Sequence, residues 1–517
     1  MTRVLEAEAD RLVREAAVAQ AEGDTARASD LLHQALRHEP TNLLAATRLA
    51  EIEIARKDPV AATARLQQVL HREPNFAPAL TALAHACWMA GSPAGGLVHA
   101  RRAVEIQPPN PKLRMALIQL CVWLGCEQEA RAHLGILRRL AGGDPSLHAQ
   151  VLGLKAELHI AKGEARKADR LIRKALNLAP DWPELRARHG MNLLRLGDFA
   201  AGWPAYEARD QVSFFRSAGP AMVSGQLWSG EDLHGRTILI QDEQGNGDAI
   251  QFFRYLPLLH RARPARIIHS TFSSLTRLFA AAAPFAEVVT TLPAGLSPDF
   301  HCHSSRLPQV FDTRLDTIPN TVPYLSAPTG RLKAHLRLPR RSGLRVGLVW
   351  SGDPRLLRDH RRSIPAAQFL KLVDVPSIDF QSLQKVVRPQ DLPALEARPQ
   401  IGRIVELCAD FADTAAVIQQ LDLVIAVDTA VAHLAGAMGK PVWILLGRAS
   451  DWRWMTDRDD SPWYPTARLF RSRGNDWNPM LQAVKRVLSV AARAPDTREM
   501  THVALAHRAS RTDTIGA

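Results

Sequence analysis

Three short stretches in the second half of the chain crowd charged and hydroxyl side chains into places that read as strand ends. In TILIQDEQGNGDAIQFFR an apolar run stops at Gln241, Gly245 and Gly247 allow a tight turn, and Asp248 stands where an amphipathic helix would begin. Glu243, Asp248, Gln251 and Arg254 fall within twelve residues. A carboxylate at such a rim can take the proton of an acceptor hydroxyl. An Asp there is also an ordinary helix cap, and both readings stand. In VGLVWSGDPRLLRDHRRSIP, Ser351 and Gly352 follow another apolar run. They can offer a hydroxyl and N–H groups to a phosphate. Arg358, Arg361 and Arg362 add fork-shaped donors for an anion, or simply a solvated basic loop. In LDLVIAVDTAVAHLAGAMGKPVW a strand delivers Asp428 and Thr429 to a helix start that favours an anion, and His433 lies one turn on. None of these stretches has metal-ligand spacing, and no metal or cofactor is expected.

The elements around these stretches alternate. Short apolar runs (TILIQ, ARIIHS, EVVTTL, LRVGLVW, DFQSL, DLVIAV, PVWILL) are separated by helical segments, which implies buried parallel strands. They form two clusters, so an α/β region of two Rossmann-like halves is expected, at 237–335 and 336–492, with ligands beyond the carboxyl ends of the strands. Before it, Pro40, Pro74 and Pro108 recur at a 34-residue step, as do Gly23, Lys57, Gly91 and Gly125. Small residues recur with them (Ala16, Ala50, Ala84; Ala28, Ala62, Gly96). The phase is expected to slip near Gly142 and Gly143 and to resume through Gly163 and Pro180. Small residues let paired helices approach, glycine turns the chain and proline ends the pair. This pattern resembles the tetratricopeptide repeat, so residues 1–210 read as an α-solenoid that binds a partner or serves as a spacer or dimer arm. A linker is expected at 211–236 and a disordered polar tail at 493–517.

With 517 residues, 46% hydrophobic and 23% charged, the chain can build large cores without disulfides. Five unpatterned cysteines suit a reducing compartment. There is no transmembrane run, so a cytoplasmic place is expected, with the inner membrane surface open to so basic a chain. The formal net charge of +13 suits an anionic partner. No nucleic-acid motif accompanies it.

DTAVAHLAGAMGKPVW resembles the nucleotide-sugar signature of the heptosyltransferase-like glycosyltransferases, which have the GT-B fold. Asp428, Thr429, His433, Gly439 and Pro441 match, and Ala430 replaces a glycine. QGNGDAIQ is similar to that family's Gly-x-Gly-Asp loop, so the resemblance gives Asp248 the role of catalytic base. Arg362 falls where the family has a phosphate-binding lysine, which keeps the charge but not the geometry. The whole pattern looks like bacterial proteins that join tetratricopeptide repeats to such a module, in blocks that include RRSIP, SLQK, DWRWM and DSPWYPTARLFR. His360 departs from the arginine expected there. The resemblance implies an inverting, metal-independent transferase. Asp248 would be the base, and Ser351, Gly352, Arg362, Gln384, Lys385, Asp428, Thr429 and His433 would hold the donor. Glu243, Gln251 and Arg254 would lie on the acceptor side. The donor would be a nucleotide-sugar, taken as substrate, and the acceptor a hydroxyl on a protein, a glycan or a lipopolysaccharide. The competing reading is a scaffold whose GT-B module binds nucleotide-sugar without turning it over.

Overall fold

The computed structural model describes residues 2–56, 58–212, 224–329, 333–339, 343–354, 359–474 and 476–493, with side chains from residue 7. The expected tail from Ala494 onward, together with Arg358, therefore lies outside the described residues. Twelve helices open the chain: α1 (Thr2–Ala21), α2 (Thr25–His38), α3 (Leu43–Ala55), α4 (Pro59–Arg72), α5 (Ala77–Met89), α6 (Pro93–Ile106), α7 (Pro111–Leu124), α8 (Glu127–Ala141), α9 (Pro145–Ala161), α10 (Ala165–Leu178), α11 (Pro183–Leu196) and α12 (Phe199–Tyr206). They are the tetratricopeptide hairpins the period predicts. Asp24, Asn42, Asp58, Asn110 and Asp144 cap helix N-termini with their side chains. Gly23, Gly91, Gly125 and Gly163 turn four of the pairs with φ between +70° and +84°. A Cβ on Gly96 would meet the Ala84 carbonyl oxygen at 2.4 Å, so the period's small residue is what lets α5 and α6 touch. The register does not slip at Gly142 and Gly143. It slips inside α9, which has 17 residues where α3 and α5 have 13.

The chain divides into two compact units, and the division falls inside α11, between Leu185 and Arg186. In the first, apolar rows from α1 to α10 fill a continuous stack of small cores.

The second unit holds the rest of α11, α12 and two five-stranded parallel sheets. The strands are β1 (Gln226–Leu227), β2 (Thr237–Gln241), β3 (Arg266–Ser270), β4 (Glu287–Val289), β5 (Phe300–His303), β6 (Leu344–Val349), β7 (Ile378–Ser382), β8 (Leu423–Val427), β9 (Val442–Leu446) and β10 (Ala467–Arg471). Their orders are β1-β5-β2-β3-β4 and β10-β9-β8-β6-β7. This is the pair of Rossmann-like halves expected for a GT-B fold. The central strands are buried on both faces, β8 and β9 at every residue, which explains their unbroken apolar sequences. Three strands escape the apolar-run reading. β5 is FHCH, β10 is ARLFR, and β1 lies at 226–227, inside the span read as linker. Trp228 and Leu233, next to β1, are core residues.

α12 packs into this second unit. The Trp203 indole N–H donates to the Thr313 carbonyl at 2.9 Å, and Trp203 meets Trp452 edge-on at 5.3 Å. Phe199 stacks on Trp463 at 6.0 Å. Gly190 and Gly202 sit where a Cβ would strike Tyr206 and Leu194, so α11 and α12 are pressed together as the earlier pairs are.

Candidate functional site

The 246–252 helix begins at the carboxyl end of β2, and the 430–437 helix begins at the carboxyl end of β8. The two starts meet. A Cβ on Gly247 would lie 3.0 Å from the His433 ring and 3.6 Å from the Ala430 Cα. The glycine in one half therefore permits the approach of the helix in the other. The family's glycine is Ala430 here, but the loop that faces it keeps Gly247.

Asp248 does not cap its helix with its side chain. Its carboxylate accepts from Arg453, which also donates Nε–H to Gln251 at 2.6 Å and pairs with Asp451 at 3.0 Å. Arg453 sits on a single 3₁₀ turn, Trp452–Trp454, capped by Asp451. Burial pushes the Asp248 carboxyl above its ordinary range, and Arg453 opposes this without overcoming it. Asp428 goes the other way. Burial raises it, but His433, Arg453 and Arg362 together outweigh that and hold it low. The His433 imidazole is buried and pushed down, so it is neutral at neutral pH. Its Nδ1 lies 2.8 Å from the Tyr464 hydroxyl. Burial raises that phenol's pKa, so the hydroxyl keeps its proton. His433 Nε2 faces the Asp428 carboxylate at 3.7 Å, which favours the tautomer with its proton on Nε2 and with Nδ1 accepting from Tyr464.

From Asp428 the network continues into the basic loop. Arg362 donates to the Asp428 carbonyl at 3.0 Å and pairs with Asp359 at 3.1 Å. A Cβ on Gly352 would lie 2.5 Å from Arg362, so the glycine lets the guanidinium lie flat against the chain. Asp359 also holds Arg388 and the Ser363 hydroxyl. The buried Ser351 hydroxyl has no hydrogen-bond partner among the described residues. Thr429 turns its hydroxyl back to the Val427 carbonyl at 3.2 Å, and no side chain caps the 430–437 helix. Its first N–H groups, the Ser351 hydroxyl and Arg362 are donors of the kind an anion can accept from.

The structure thus brings Asp248, Gln251, His433, Asp428, Thr429, Arg362, Gly352 and Ser351 into one connected region. The other four sequence candidates have their polar atoms spent elsewhere. The Gln384 amide accepts from the Trp350 and Ser351 N–H groups and donates to the Ser351 and Val386 carbonyls. It clamps the strand end that carries Ser351. Lys385 donates to the carbonyls of Val405, Glu406 and Cys408. Arg254 is buried beneath the rings of Tyr324, Trp463 and Tyr464 and donates to the Gln251, Pro319 and Trp463 carbonyls. Glu243 accepts from Ser305 and faces Arg209, just beyond α12. Gly352 also has its N–H taken by Ser363, at 2.9 Å. Arg453, Tyr464, Asp359 and Arg388 were not singled out by the sequence. Arg453 and Tyr464 lie in DWRWM and DSPWYP, stretches that entered only as part of the resemblance, with no role given to either residue. Among the described residues no group of three or more His, Cys, Asp or Glu could hold a metal ion, and no helix is long and apolar enough to cross a membrane.

Comparison with known proteins places these features. Residues 19–86 match the tetratricopeptide repeat family, and residues 395–496 match glycosyltransferase family 9 (heptosyltransferase). Protein FlbA of Caulobacter vibrioides (strain ATCC 19089 / CIP 103742 / CB 15) is 28% identical over 372 residues, which is 64% of this chain. The chain spans 60% of the length of that relative. Among solved structures, a thermophilic tetratricopeptide protein of Thermus thermophilus is 21% identical, with a TM-score of 0.32, over 36% of this chain and 99% of its own. A tetratricopeptide repeat protein from Parabacteroides merdae ATCC 43184 is 16% identical, with a TM-score of 0.30, over 40% of this chain and 78% of its own. The chain combines tetratricopeptide repeats with a domain of the glycosyltransferase family 9 kind.

Proposed function

We propose that this chain transfers a glycosyl group from a nucleotide-sugar to an acceptor hydroxyl, with inversion and without a metal ion. The observation that carries the reading is the meeting of Asp248, from the first half, with the open helix start at Thr429 and its His433, from the second. Asp248 takes the acceptor proton as the acceptor oxygen bonds to the anomeric carbon. The bond from that carbon to the donor diphosphate breaks at the same time. Negative charge grows on the departing diphosphate, where Arg362, the Ser351 hydroxyl and the helix N–H groups stabilise it. A carboxyl raised by burial is the right kind of base for a hydroxyl, because its proton affinity is higher than that of an ordinary aspartate. The repeats recruit the acceptor or a protein partner.

One observation favours a binding role without turnover. The Asp248 charge is already engaged by Arg453. A thermal-shift panel with ADP, UDP, GDP and CMP, followed by transfer assays with the matching nucleotide-sugars, separates the two. One nucleotide should raise the melting point by a saturable amount, and its sugar should be transferred. A melting shift without transfer would favour the binding role. No shift with any nucleotide at millimolar concentration would remove both readings.

A further inference from the structure

In the first unit α3 packs on α5, α5 on α7 and α7 on α9. The first helices of successive hairpins thus form one layer, and α2, α4, α6, α8 and α10 form the other. Charge is divided unevenly between them. In the first layer α5 has no Lys, Arg, Asp or Glu, α9 sets Lys155 against Glu157, α3 sets Arg48 against Glu51 and Glu53, and α7 carries Lys112 and a buried Arg114 with no acid. In the second layer α4 has Arg65 and Arg72 with no acid. α10 exposes Arg166, Lys167, Arg170, Arg173 and Lys174 with Asp169 as its one acid. Arg166, Arg170 and Lys174, like the exposed Arg138 and Arg139 of α8, have no ion-pair partner among the described residues.

Both layers carry large apolar side chains in water, Val18 of α1 and Leu44 of α3 in the first, but only in the second do leucines lie among these unpaired basic groups. Val60 of α4 is 75% exposed, Val98 of α6 is 59%, Leu140 of α8 is 38% and Leu178 of α10 is 44%. Leu140 and Leu178 occupy the last turns of α8 and α10, beside Arg138 and Arg139 in one and Arg173 and Lys174 in the other. Guanidinium and ammonium groups interleaved with exposed leucines suit a surface that is anionic outside and apolar just beneath, the boundary of headgroups and acyl chains. A nucleic acid would use the charge but leave the leucines in water, and neither α8 nor α10 has a Phe, Tyr or Trp for a base to stack on.

We infer that the second-helix layer of the repeats, centred on α8 and α10, docks on an anionic phospholipid membrane. The test is co-sedimentation of the full chain with vesicles of about 30 mol % phosphatidylglycerol in phosphatidylethanolamine, against phosphatidylcholine vesicles and against a duplex DNA of about 20 base pairs. The chain should sediment with the anionic vesicles only, and raising the salt from about 0.1 to about 0.5 M should weaken this at least tenfold. A membrane-proximal basic residue contributes roughly fivefold, so the triple variant Arg166→Gln, Arg170→Gln, Lys174→Gln should bind about a hundredfold more weakly. Lys155→Gln, on the other layer, should bind as the parent does. Leu140→Ser with Leu178→Ser should weaken vesicle binding roughly fivefold or more at unchanged melting temperature. All six positions are exposed, so these variants should fold. Equal sedimentation with both kinds of vesicle, or indifference to the triple variant, would overturn the inference. DNA binding that ignores the leucine change, with no vesicle binding, would assign the layer to nucleic acid instead.

Discussion

Replacing Arg453 with Gln removes the charge that faces Asp248 while keeping an amide that can still meet Gln251. Breaking a buried pair on one side costs about 3–5 kcal/mol because it strands the other charge. Here Asp248 keeps 23% of its side-chain exposure and Arg453 keeps 9%, so part of the stranded charge reaches water. We expect about 2–3 kcal/mol at neutral pH. The pH dependence follows from the direction of the Asp248 shift. Its carboxyl is raised on folding, so its ionisation opposes folding, and the cost appears as pH rises above the unfolded value of about 3.9 and is complete above the folded value. Without Arg453 the folded value rises further. The deficit of the variant should therefore be small near about pH 4.5 and full near about pH 8. Urea unfolding followed by tryptophan emission is the assay, since Trp452, Trp454 and Trp463 are buried in the same core. Adding Asp248→Asn should restore most of the loss, for a coupling of about 2 kcal/mol. A coupling within about 0.5 kcal/mol of zero, or a deficit that does not change with pH, would refute the pairing and its electrostatics.

Lys385→Met should leave nucleotide affinity unchanged and cost about 1–3 kcal/mol of stability, because three carbonyls at 405–408 lose their donor; weakened nucleotide binding in a stable variant would return Lys385 to the donor site. A chain that begins at Arg186 should fold and melt cooperatively. One that begins at Gly225 should aggregate, since it bares the faces of Trp452 and Trp463 that Trp203 and Phe199 cover; equal solubility of the two would make α12 dispensable.

The sequence made the architecture legible wherever burial is two-sided or periodic. β8 and β9 read as strands because every residue in them is buried, and the hairpins of the first unit read from turn glycines with positive φ. β5 did not read as a strand, because it sits between β1 and β2 with two histidines in its four residues. The candidate site was legible at its strand ends, because Asp248, Asp428 and Arg362 are of the right chemical type at the right topological place. Residue type alone could not say where each donor would be spent. Lys385 and Arg254 carry the charges a diphosphate wants, yet the fold turns one onto three carbonyls and the other beneath three aromatic rings. That information lies in contacts across twenty or more residues of chain, and no local pattern encodes it. Arg453 shows the converse, a charged group at the centre of the network whose neighbours in sequence are all bulky and buried.

The central claim is that Asp248 is the base of a glycosyl transfer, and Asp248→Asn tests it most directly. With the nucleotide-sugar identified by the thermal-shift panel, the measurement is single-turnover transfer by the variant beside nucleotide affinity on the same preparation. Asn is nearly isosteric with Asp and can still accept from Arg453, so the protein should fold and bind nucleotide within about threefold of the parent. Transfer should fall by about two to four orders of magnitude. A folded variant that binds nucleotide and transfers sugar at near the parent rate would contradict the account.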